Sequence, residues 1–287
     1  MKKLFVTALI LCFSLPYMAY AGKVVTDSLD SKILGETVKY NVYLPDGFAK
    51  SDKTYPVVYL LHGLYGCYEN WEQNVKMHLI ADEFIRSGEI REMVIIMPNA
   101  GDNDVRNIQN GYFNVEGHNY EDFFFQEFLP AVESKYRCIS DKGHRAIMGL
   151  SMGGGGSVVY CQKHPDKFSS CYAMSPWLDN KNGEVAGGKS NPRTKLTLTC
   201  ESVCENSALD FIDRADDATL EALRTVKWFL DCGDDDFLVY LTMDLYKKMY
   251  QKKVKSELRV RDGVHNWEYW HEALRMALPF ASRNFDR

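Results

Sequence analysis

The stretch GLSMGGGGS, Gly149 to Ser157, sets one serine between glycines and follows it with four glycines in a row. It comes directly after the apolar run HRAIM, His144 to Met148, and leads into SVVYCQKHP, whose apolar positions recur with helical period. The glycines therefore stand at a strand-to-helix junction and do not form a flexible linker. A phosphate loop would require Lys and then Ser or Thr after the glycines, and here Ser157 follows Gly156 with no lysine between. What fits is G-x-S-x-G on Gly149, Ser151 and Gly153, a sharp elbow that projects a serine hydroxyl from the end of a buried strand. Gly154 to Gly156 would then let the following helix lie close to neighbouring strands.

Outward from the elbow the same rhythm repeats. TVKYNVYLP alternates like an edge or antiparallel strand, while YPVVYLLHG, EMVIIMPN, HRAIMGLS, SSCYAMSP, VKWFLDCG and SELRVRDG read as buried strands. Segments of helical period separate them: NWEQNVKMHLIADEFIRSG, YEDFFFQEFLPAVESKY, GGSVVYCQKHPDKF, YLTMDLYKKMYQKK and a final WEYWHEALRMALPFASRNF. Strand and helix in alternation predict an α/β fold, a mostly parallel central sheet with helices on both faces. One region breaks the pattern. From about Leu178 to Asp217 the chain is polar with little apolar period, an excursion that either shapes a site at the carboxyl ends of the strands or is plain surface loop.

The chain has 287 residues, 46% of them hydrophobic, enough for one sizeable core. Its net charge is -5, and Lys and Arg are scattered instead of gathered in a stripe, which argues against nucleic acid as a partner. The start, MKKLFVTALILCFSLPYMAYAG, has two lysines, a short apolar run and Ala19 and Ala21 in A-x-A spacing, which predicts a secretory signal at 1–21. Residues 22–287 then form a single domain, secreted or periplasmic, with no membrane association once the signal is removed. Seven cysteines remain, an odd number, and CESVC at Cys200 to Cys204 is the best local candidate for a disulfide. No second close pair or nearby His completes a zinc set, so no metal and no cofactor is expected. GDNDVRN, Gly101 to Asn107, lacks the later glutamate of a calcium loop and reads as a turn.

A serine hydroxyl needs a base within hydrogen-bond reach and a carboxylate to orient that base. On a sheet of this kind the partners follow the serine in the order acid, then histidine, each beyond the end of a later strand. Of the histidines after Ser151, His164 sits at a helix end and His271 inside the last helix. His265, in RDGVHNW, follows the last strand and is the candidate base. FLDCGDDDFL offers Asp234, Asp235 and Asp236 as the acid, and spacing alone does not choose among them. Two backbone N–H groups must face the developing oxyanion. Met152, the residue after the serine, supplies one, and the loop LLHGLYG is expected to supply the other, with His62 as a structural support of that loop. Trp177, in SPWL, either lines an aromatic acyl or sugar site or packs in the core.

With these residues in view, YLLHGLYGCYENW, GHRAIMGLSMGGGGS, DCGDDDFL and VHNWEYW resemble the esterase D-like, carbohydrate esterase family 1 branch of the α/β-hydrolases over nearly all of residues 22–287. That branch includes feruloyl esterases, acetyl xylan esterases, S-formylglutathione hydrolases and mycobacterial mycolyltransferases. Its G-x-x-D-x-L pattern, laid on Gly233, Asp236 and Leu238, selects Asp236 as the acid. Its H-x-W-x-x-W pattern falls on His265, Trp267 and Trp270, with Trp267 a candidate substrate contact, and by the same comparison Leu64 is the second oxyanion donor. The resemblance implies a secreted serine esterase acting through an acyl-enzyme on a small-molecule or polysaccharide-linked ester, feruloyl or acetyl. Other readings are an S-formylglutathione hydrolase-like thioesterase, an acyltransferase, and, from a different class, a non-catalytic carbohydrate-binding protein.

Overall fold

The computed structural model describes residues 21–101, 110–185 and 194–286. Most of the segment expected to be a signal, residues 1–20, and most of GDNDVRN lie outside them. Eight strands form the main sheet: β1 (Lys23–Asp30), β2 (Thr37–Leu44), β3 (Val57–Leu61), β4 (Val94–Met97), β5 (Arg145–Leu150), β6 (Ser170–Met174), β7 (Lys227–Gly233) and β8 (Ser256–Arg261). They lie in the order β1-β2-β4-β3-β5-β6-β7-β8. The first two strands run antiparallel to their neighbours, and all pairings from β4 through β8 are parallel.

β5 lies inside the sheet, and every residue of it is buried. Its side chains nonetheless alternate between two cores, Ile147 into one and Ala146, Met148 and Leu150 into the other, because period-2 geometry serves both faces of a covered sheet. α1 (Met77–Ser87) and α6 (Trp267–Arg283) cover one face. α2 (Met152–Lys163) and α5 (Val239–Gln251) lie over the other. Among the described residues no helix is long and apolar enough to cross a membrane.

Three features differ from the reading of the sequence. KVVTDSLD is a strand, β1, which carries charged residues on exposed positions because it is the sheet's outer edge. The polar excursion contains two helices, α3 (Lys195–Glu205) and α4 (Ala208–Arg214). Thr194 and Thr197 form a reciprocal capping box and Ser207 caps α4. The Thr199 and Ser202 hydroxyls donate back to the carbonyls of Lys195 and Thr199, so small polar residues are buried on α3 and no apolar stripe marks it. Finally, all seven described cysteines are free thiols, Cys200 and Cys204 included. One helical turn separates their Cβ atoms by about 5–6 Å, beyond the reach of a disulfide.

Candidate active site

The elbow is built as its glycines suggest. Ser151 sits at φ 52°, ψ -118°, a left-handed conformation that a residue with a side chain rarely adopts, between the end of β5 and the first turn of α2. Its N–H donates to Met174 O at 2.9 Å, and its own carbonyl accepts from Gly155 and Trp177 at 3.0 and 2.9 Å. A Cβ on Gly153 would lie 2.5 Å from His62 O, and one on Gly155 would lie 2.0 Å from Trp177 O. The glycine run therefore brings α2 to within backbone contact of the β3 and β6 ends.

The Ser151 hydroxyl stands 3.0 Å from His265 Nε2, and His265 Nδ1 stands 2.8 Å from Asp236 Oδ2. Residues 151, 236 and 265 thus meet at the carboxyl ends of β5, β7 and β8. Of the three aspartates, Asp236 is the buried one and takes the imidazole, while Asp234 accepts the Gly263 N–H and serves the turn. Burial works against the Asp236 carboxylate. The His265 imidazole, the Leu238 N–H and the Ser175 hydroxyl outweigh it and hold the carboxyl below its usual range. Ser175 had no signal in the sequence. It follows β6 at a positive φ of 44°, donates its N–H to Asp231 O, and accepts the Trp270 indole N–H at 3.1 Å.

Leu64 and Met152 flank the serine from two sides. Met152 opens α2, where first-turn N–H groups have no acceptor within the helix and the helix dipole favours negative charge. Leu64 lies in the β3 loop, which passes so close that a Cβ on Gly63 would be 3.4 Å from Ser151 Cβ. His62 secures this loop: it is fully buried, accepts the Ala100 N–H at 2.9 Å through Nε2, and bonds Gly63 O at 2.8 Å through Nδ1. Burial pushes its imidazole down to about 4, so it is neutral.

A cavity of about 790 Å3 opens onto Ser151 and His265. Leu64, Trp267 and Trp270 line it, as do Tyr65 and Phe237. Phe237 packs on the His265 ring at 4.6 Å between centroids, and Trp270 stands edge-on to that ring at 4.9 Å. Phe237 was legible only as a neighbour of Asp236. Glu184 and Val185 reach the same cavity, so the excursion does border the site. Trp177 does not: its indole is 2% exposed in the core and donates to Asn180. His164 caps the end of α2 and pairs with Glu121, His271 pairs with Glu272 on α6, and neither lines this cavity.

The Esterase family model matches residues 31–281. The chain belongs to that family. A solved structure described as a ferulic acid esterase is 44% identical to this esterase, covers 93% of it and 100% of its own chain, and superposes with a TM-score of 0.87. An endo-1,4-beta-xylanase/feruloyl esterase of Xylanibacter ruminicola is 32% identical over 142 residues, which is 48% of this esterase and 19% of that longer protein. The matched part of this chain thus spans about a fifth of that relative's length. An S-formylglutathione hydrolase structure from Staphylococcus aureus, 20% identical with a TM-score of 0.71 over 91% of this chain and 99% of its own, shares the α/β-hydrolase fold.

Proposed function

We propose that this esterase is an exported serine hydrolase that releases an aromatic acyl group of the feruloyl class from a plant cell-wall polysaccharide. The hydrogen-bonded series from Ser151 through His265 to Asp236 carries the reading. His265 Nε2 takes the hydroxyl proton as Ser151 Oγ attacks the ester carbonyl, and Asp236 holds the imidazole in the tautomer that leaves Nε2 free to accept. Negative charge gathers on the carbonyl oxygen, where the Leu64 and Met152 N–H groups would stabilise it. Collapse expels the sugar alkoxide, which His265 protonates, and leaves the acyl group on Ser151. A water molecule deprotonated by the same imidazole then attacks the acyl-enzyme and regenerates the serine.

The choice of an aromatic acyl group is supported by the cavity. An acetyl group would occupy a small part of it, whereas Tyr65, Phe237, Trp267 and Trp270 offer ring faces and edges to a planar phenolic acid. The similarity to the ferulic acid esterase over nearly the whole chain favours the same substrate class, and the signal-like segment at 1–21 favours export. Rates on methyl ferulate, acetylated xylan and S-formylglutathione test this reading. Methyl ferulate should turn over fastest; faster release of acetate or of formate would replace the substrate assignment.

A further inference from the structure

Asp82 is a buried carboxylate on α1, 8% exposed, with no Lys, Arg or His among the described residues paired to it. Both its oxygens instead face one backbone nitrogen, that of Gly22, at 3.0 and 3.1 Å. The Tyr43 hydroxyl of β2 donates to the same carboxylate at 2.6 Å. An unpaired buried carboxylate is costly. A single amide hydrogen shared between two oxygens is weak compensation for it. Gly22 is also the first residue after Ala21, where the A-x-A pattern places signal cleavage.

We propose that cleavage after Ala21 supplies the missing cation: the new α-ammonium of Gly22 docks on Asp82 and locks the start of β1 to α1. Water adds across the Ala21–Gly22 amide under a leader peptidase, leaving a carboxylate on Ala21 and an amine on Gly22 that takes up a proton. The ammonium then offers three hydrogens at the position where the amide offers one. Residue type supports the same conclusion. A Cβ on residue 22 would lie 2.4 Å from Tyr43 Cε2 and 2.7 Å from Asp82 Oδ1, so only glycine brings its nitrogen this close. β1 is the edge strand, held on one side only by β2, and an anchor at its first residue secures the element with the fewest neighbours.

The pairing makes stability depend on pH in a specific direction. The charged and titratable groups around the Gly22 nitrogen are Asp82 and Tyr43, with Lys23, Glu69, Glu72 and His78 around the adjoining shallow pocket, where Glu72 and His78 already pair at 2.7 Å. An α-amino group ordinarily titrates near 7.7–8.0. Pairing with Asp82 raises that value in the folded chain, so the stabilisation is complete below about pH 7.7 and is lost as pH rises through the raised value.

The test exports the full chain, reads the mature N-terminus by intact mass, and compares thermal unfolding of the 22–287 chain with one retaining Tyr20 and Ala21 before Gly22. The expected mature protein begins at Gly22, and the extension lowers Tm at pH 7 by at least about 3 °C. The difference should shrink above pH 10 and disappear in an Asp82→Asn background. A different mature N-terminus, or equal Tm values for the two chains at pH 7, would overturn the proposal. The comparison of the two N-termini stands even where Asp82→Asn fails to fold, and hydrolytic activity plays no part in it.

Discussion

Trp270 donates its indole N–H to the Ser175 hydroxyl at 3.1 Å, and Ser175 in turn helps hold the Asp236 carboxyl low. The hydrogen-bond series at the site therefore extends past the acid into the floor of the cavity. Ser175 touches no position where substrate would react, so its role would be to fix Asp236. A hydrogen bond to a charged group is worth about 1.5–3 kcal/mol. Ser175→Ala should lower kcat for methyl ferulate at least about tenfold with little change in KM. An unchanged kcat would show that His265 and Leu238 fix Asp236 without help.

Phe237 is 54% exposed yet packs against the His265 ring at a 52° tilt, and it also lines the cavity. Aromatic pairs contribute about 0.5–1.5 kcal/mol beyond buried area. Phe237→Ala should raise KM for methyl ferulate severalfold, by up to about tenfold, and leave the KM for an acetyl ester nearly unchanged. Equal losses on both substrates would place the contact on the imidazole and not on the acyl group.

Buried, neutral His62 ties stability to pH through the loop that carries Leu64. An unfolded imidazole takes up a proton near 6.5, and the folded one does so only near 4. Between these values the unfolded chain binds more protons, so stability falls as pH falls from 6.5, by at most about 1.4 kcal/mol per pH unit from this group. Urea unfolding at pH 7 and pH 5 should show the loss, and His62→Gln should flatten it. Parallel slopes in the two proteins would move the effect to other groups.

Close backbone approach at the elbow makes Gly155 sensitive to a single methyl group. Gly155→Ala places a Cβ 2.0 Å from the rigid Trp177 carbonyl and should cost at least about 2 kcal/mol in urea unfolding. At Gly35, where φ is +70° and no atom lies within 4 Å of an added Cβ, alanine meets conformational strain alone and should cost about 1 kcal/mol.

The elbow, the order of the site residues and the position of His265 were legible because strict steric rules leave few residue types at a strand-to-helix turn. Asp236 was not separable from Asp234 and Asp235 by spacing. What distinguishes it is burial against His265, a property of the packed β7 end. Ser175 was invisible for a related reason, since only the register of β6 on β7 brings its hydroxyl to Asp236. β1 and α3 were missed where edge exposure and buried Thr, Ser and Cys erase the apolar period.

Intact-mass analysis during turnover of an activated aromatic ester examines the serine mechanism most directly. A burst of alcohol equal to the enzyme concentration should accompany one acyl group on Ser151, and Ser151→Ala, folded, should show neither burst nor adduct. Sustained turnover by Ser151→Ala, or an acyl group found on another residue, would contradict the account.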